Sequence, residues 1–226
     1  MTRLRQSQGN KGVSMRKFST AAIALVAGLG MLLAGCSQVG GLKAKMAFKD
    51  ANALYQQQDY RKAAEKYEEA LQADPSLTAA YFFLGNSYDN LYKPARKGEE
   101  ANDALLTRAI ENYQKAAELE QDPKIKKLAL EYLVAAYGPD KLNDPTQSEP
   151  MVQKMIELDP KDPANYFVLA KIYEDMGNYE QAEATLIRAR EARPNDPAVY
   201  MSLAGYYNRQ GEFEKTIEAL EGRAQQ

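Results

Sequence analysis

The chain has 226 residues, with 29 Lys and Arg against 31 Asp and Glu, one Cys, and neither His nor Trp. Without imidazole it has no Ser-His-Asp or Cys-His catalysis and no ordinary zinc site. Arg3, Arg5, Lys11, Arg16 and Lys17 all fall within residues 1–35, which hold no acid; removing those five leaves 24 basic against 31 acidic residues, a charge of −7 and the wrong sign for a nucleic-acid footprint.

Arg16-Lys17 precede an apolar run from Ala21 to Leu33 broken only by glycines, and Leu33-Ala34-Gly35-Cys36 follows at once. The run is too short to span a membrane stably and has the order of a secretory signal: basic, apolar, small-residue cleavage site. Residues 1–14 are polar and add nothing to that signal, so Met15 is expected to be the true initiator. Cys36 is the only cysteine and cannot form an intramolecular disulfide; the alternative of a buried apolar thiol is disfavoured by the basic, apolar and small residues directly ahead of it. Ser37 to Lys43, with Gly40-Gly41, reads as a flexible tether of at most ~25 Å.

From residue 44 the pattern is helical and recurs. Ala47, Ala51 and Leu54 mark a first helix, Gln58-Asp59-Tyr60 a turn, and Ala63, Tyr67 and Ala70 a second helix before Asp74-Pro75. Tyr81-x2-Leu84-Gly85-x2-Tyr88 begins the next pair, but its second stripe (Leu106, Ala109, Tyr113, Ala116) arrives about a dozen residues late. The extra residues, 92–102, read either as a solvated loop extension or as a finger that touches a partner. A third pair is degraded: a helix over 124–137 carrying Leu130, Leu133 and Tyr137, a stop at Gly138-Pro139, a loop with Asp144-Pro145 and Glu149-Pro150, then a helix expected from Pro150 to Leu158.

The clearest unit follows. Asp162-Pro163 supplies a cap and a first-turn proline, Tyr166-x2-Leu169-Ala170-x2-Tyr173 the first helix, Gly177-Asn178 a left-handed turn, and Ala182, Leu186 and Ala189 the second. Thirty-four residues after Tyr166 the phrase restarts at Tyr200 with Leu203-Ala204, Tyr207 and Gly211-Glu212-Phe213. Such a pair cannot bury its apolar face alone, which predicts a stacked array; Ile217 and Leu220 then lie near an uncapped end.

The 34-residue period of paired helices resembles the tetratricopeptide repeat, and Leu33 to Cys36 resembles the lipobox of bacterial lipoproteins. The resemblance implies an all-α, right-handed superhelical solenoid of about five helix pairs, at 44–77, 78–123, 124–160, 163–194 and 197–224. It implies a signal peptide over 1–35 and acylation of Cys36, with no cofactor beyond that lipid. Ser37 after the cysteine implies the outer membrane, facing the periplasm, where lipoproteins are sorted between two membranes. In this family the first helix of each pair lines a concave groove for a peptide. The corresponding positions are Phe48, Asn52 and Tyr55; Phe82, Phe83 and Asn86; Glu131 and Tyr132; Phe167 and Lys171; Met201 and Asn208.

Aromatic rings anchor interfaces, and asparagines grip backbone amides; each ring could instead pack against the next repeat. The Lys and Arg set with which some family members clamp a chaperone's terminal carboxylate is absent. The expected function is a non-enzymatic, membrane-tethered scaffold for protein or peptide partners, with no catalytic or metal-binding residues. The alternative is an accessory lipoprotein whose groove holds a small apolar molecule or lipid. Adjacent carboxylates such as Glu68-Glu69 lie on a repetitive polar face with no pocket implied, which argues against acid–base catalysis.

Overall fold

A computed structural model describes residues 40–224; Met15, the segment 1–35, Cys36 and residues 37–39 lie outside the described residues. Contacts divide the chain after Leu42, and the array is the unit Lys43–Gln226. The described residues form ten α-helices and no strand. Backbone over 40–56 is helical (α1), followed by α2 (Tyr60–Ala73), α3 (Thr78–Leu91), α4 (Glu100–Leu119), α5 (Pro123–Tyr137), α6 (Pro145–Leu158), α7 (Pro163–Asp175), α8 (Tyr179–Ala192), α9 (Pro197–Gln210) and α10 (Phe213–Ala224). Each helix packs chiefly on its neighbours in the chain, so the array grows by nearest-neighbour stacking.

Local chemistry explains the boundaries. Pro123, Pro163 and Pro197 open α5, α7 and α9, where their missing N–H is not needed. Asp122, Asp162 and Asp196 cap these helices, each accepting from the backbone N–H two residues on at 2.9–3.0 Å. Gly177 and Gly211 turn the chain between paired helices at φ +76° and +77°. Within the pairs, alanines and one glycine allow close approach: a Cβ on Gly85 would stand 2.9 Å from the Tyr113 ring. Two large apolar cores result among the described residues, one around Tyr67, Tyr113, Leu130 and Leu133, the other around Val152, Leu169, Val199 and Leu203, with a small third cluster of Tyr92, Leu106 and Ala136.

Three expectations are corrected. Gly40 to Lys43, read as tether, are helical, because the turn following them in α1 is anchored by buried Ala44 and Ala47. The helix expected to start at Pro150 starts at Pro145 instead, with Pro150 inside it. A proline there forfeits one backbone hydrogen bond; buried Ser148 and Val152 on either side carry the helix through. The insertion is also not all loop. Pro94–Arg96 form a 3₁₀ turn, and α4 takes up the remainder from Glu100.

Candidate binding groove

The insertion is built rather than loose. Asn102 is buried; its Oδ1 accepts from the Lys93 N–H at 2.9 Å, and its Nδ2 donates to the carbonyls of Lys93 and Arg96 at 3.1 Å each. Tyr92 is buried beside Leu106 and Ala136, which roots the insertion in the third pair. Lys97 Nζ donates to the Lys141 carbonyl at 2.6 Å, and Lys141 Nζ forms an ion pair with Asp89. The 138–144 loop is thereby held from two sides. Its own backbone closes it: Asn143, at φ +56°, donates to Gly138 O at 2.9 Å, and Asp144 to Tyr137 O at 2.8 Å.

The residues predicted to line a groove divide into three places. Phe48, Tyr55, Phe83 and Tyr132 are half-buried and belong to one continuous run of rings with Tyr67, Phe82 and Tyr113. Centroid spacings along it are 5.7 Å (Phe48–Tyr67), 5.9 Å (Tyr67–Phe83), 5.3 Å (Phe83–Phe82), 5.6 Å (Phe82–Tyr132) and 5.2 Å (Tyr132–Tyr113). Each such pair adds about 0.5–1.5 kcal/mol beyond area burial. Phe82 and Asn86 are only 6% and 3% exposed. They support this wall from within and offer a partner no surface of their own, because Phe82 fills the seam towards Tyr113 and Tyr132.

Asparagines here hold the wall rather than reach outward. Tyr67 donates to Asn52 Oδ1 at 2.6 Å. Tyr55 donates to Asn86 Oδ1, Asn86 Nδ2 donates to Tyr113 Oη at 3.3 Å, and Tyr113 donates to Asp89 Oδ2 at 3.4 Å. A polar chain thus joins α1, α3, α4 and, through Lys141, the 138–144 loop. Burial pushes the phenols of Tyr67 and Tyr113 well above their ordinary range, which keeps them neutral donors.

Phe167 and Lys171 stand elsewhere. They line a groove of about 1040 Å³ between α5, the 138–144 loop, the start of α6 and α7. Val134, Phe167, Val168 and Ile172 supply its apolar surface. Asp140, Asn143 and the Lys171–Asp175 ion pair stand at its polar positions. Met201 and Asn208 are exposed on α9 and join neither group. Val168 and Asp140 were not anticipated from sequence; Val168 was detectable as an apolar residue off the seam stripe of α7, whereas the loop has no repeat register by which to place Asp140. A second hollow, of about 460 Å³ against α10, has Tyr200, Leu203, Tyr207 and Ala219 among its lining and the charged side chains of Arg190, Lys215, Glu218 and Glu221 around them.

The fold and these surfaces define a tetratricopeptide-repeat solenoid. Family models agree: one for the tetratricopeptide repeat matches residues 141–206, and another for the TPR repeat matches residues 51–91. The chain carries tetratricopeptide repeats. Among solved structures it is similar to MamA, at 19% identity and a TM-score of 0.59 over 82% of this chain and 92% of that one. Residues 41-end of MamA from Desulfovibrio magneticus RS-1 give 14%, 0.53, 81% and 94% respectively. YrrB, described as a TPR protein with an unusual peptide-binding site, gives 20% and 0.52 over 78% of this chain and 82% of its own. No curated protein matches the chain in sequence.

Proposed function

We propose that the protein is a non-enzymatic scaffold, tethered by lipid on Cys36 to the bacterial outer membrane on its periplasmic side, that holds a segment of a partner protein along the inner faces of its first helices. The observation that carries this reading is the open apolar groove at Phe167 and Val168, continuous with a repeat fold whose described helices are otherwise packed on one another. Support for a peptide occupant comes from its openness: a site for a small apolar molecule encloses most of its ligand, whereas this one is a trough. YrrB, a relative in fold, is described as binding peptide. Support for the tether comes from the order of residues 16–36. An accessory role in envelope assembly or export follows from that address.

The test is made in cells. A photo-crosslinking residue at Lys171 captures a discrete protein, one at exposed Ala184 on α8 does not, and an alkyne-palmitate label enters the wild type but not Cys36→Ala. No capture at 171, or equal capture at 184, rejects the groove; labelling that survives Cys36→Ala rejects the tether.

A further inference from the structure

The insertion in the second pair and the irregular loop of the third look like two unrelated departures from the repeat, yet they meet. Lys97 of the insertion donates to the carbonyl of Lys141 at 2.6 Å, and Lys141 turns its own ammonium back to Asp89 on α3. That loop is a wall of the groove floored by Val134, Phe167, Val168 and Ile172. Val168 is 38% exposed, the apolar face of α7 that no described helix covers. Charge at this wall is one-sided. Lys171 is occupied by Asp175, and Lys141 by Asp89, while Asp140 makes no ion pair with any described residue. The array itself is acidic, with 24 Lys and Arg against 31 Asp and Glu once the five cations of residues 1–35 are set aside.

We infer that this groove is a specificity pocket for a partner segment in which one large apolar side chain is flanked by Lys or Arg, the apolar chain seated on Phe167 and Val168 and the cation meeting Asp140. Lys97 is a positioning residue: it sets the loop, and hence Asp140, through the Lys141 carbonyl. The inference rests on the peptide-scaffold reading above and names the chemistry that reading leaves open. Desolvating an apolar side chain supplies binding, while the free carboxylate at the rim supplies selection between segments. An acidic or wholly polar segment gains neither.

The probe is a capped heptapeptide with a central leucine between two lysines, compared with versions carrying glutamates for the lysines or serine for the leucine. Binding is read by the methyl resonances of Val134, Val168 and Ile172 in the full chain held in detergent. The lysine-flanked leucine peptide shifts all three saturably; the other two bind at least about tenfold more weakly. Asp140→Asn weakens binding by about threefold, and added salt erases that difference. Val168→Glu abolishes binding. Lys97→Met lowers affinity without moving the urea midpoint, and Lys97→Arg, which keeps the donor, restores it. Binding that ignores the flanking charge, or shifts confined to other methyls, overturns the inference. Capture of a protein at Lys171 together with no response to the lysine peptide also overturns it while leaving the scaffold reading intact; loss of both removes both.

Discussion

Asp89 on α3 and Lys141 in the 138–144 loop form an ion pair in which the side chains are only 10% and 18% exposed. Fifty-two positions apart, they fasten the second helix pair to the third where the repeat pattern is weakest.

This pair is expected to matter when half of it is removed. Lys141→Met leaves the Asp89 carboxylate in a poorly hydrated place with only the Tyr113 hydroxyl at 3.4 Å. Breaking a fully buried pair costs several kcal/mol; with residual water at both groups the expected loss is about 2 kcal/mol by urea unfolding. Adding Asp89→Asn to Lys141→Met should recover at least half, since the penalty lies in the orphaned charge. A loss below about 0.5 kcal/mol would show the pair to be idle, as surface pairs often are.

Two helical glycines should respond to alanine with opposite sign. At Gly85 the new Cβ would meet Tyr113 Cδ1 at 2.9 Å and the Ala109 carbonyl oxygen at 3.0 Å, and a backbone oxygen in a packed helix cannot swing away. Gly85→Ala is expected to cost about 1–3 kcal/mol. At Gly205 the nearest atom is Arg209 Nη1 at 3.4 Å, the end of a flexible side chain. Gly205→Ala should stabilise by about 0.5–1 kcal/mol, because glycine is entropically unfavourable inside a helix. Thermal melts of the two variants decide both signs.

These contrasts show what a linear reading can and cannot reach. Asp162 capping Ala164 and Gly177 turning left-handed were both legible, because each depends on a residue type at a fixed offset. The start of α6 was not: Asp144-Pro145 and Glu149-Pro150 offer the same signal twice, and only burial of Ser148 and Val152 selects the first. At Phe82 and Phe83, a helix sends adjacent side chains about 100° apart, but which of the two enters the seam depends on Tyr113 and Tyr132 from later helices. The groove at Val168 needed the loop beside it, and that loop follows no period.

Asp162 ties stability to pH. It caps α7 and also accepts from Lys127 Nζ at 2.6 Å; that hydrogen bond, ahead of its other influences, lowers its carboxyl below the ordinary range. A depressed folded value means that the contribution is present above the unfolded value of about 4 and is lost as pH falls through the folded one. Urea midpoints measured downward from pH 5 should therefore fall, and Asp162→Asn, which keeps a capping oxygen, should flatten that part of the slope. Asp162→Ala should in addition cost about 1 kcal/mol at pH 7 through the lost cap. An unchanged slope in Asp162→Asn would assign the acid sensitivity to other carboxylates.

The tyrosines set the alkaline limit. The chain has 15 Tyr and no Trp, so tyrosinate absorbance reports the phenols cleanly. Burial first, and then a hydrogen bond to Glu68 or Glu183, pushes Tyr88 and Tyr207 up to about 12, and burial drives Tyr67 and Tyr113 higher still. For an acid neutral below its pKa, a raised folded value favours the fold fully below about pH 10, and that preference is lost as pH rises through the folded value. A spectroscopic titration should accordingly leave several phenols un-ionised at pH 11, and these should ionise together with a cooperative loss of helical circular dichroism. Tyr67→Phe, which removes the 2.6 Å bond to Asn52, should bring that transition on with about 1 kcal/mol less stability beforehand. If all the phenols ionised in one step near pH 10 while the helices stayed intact, the continuous ring wall from Phe48 to Tyr113 would not exist in solution.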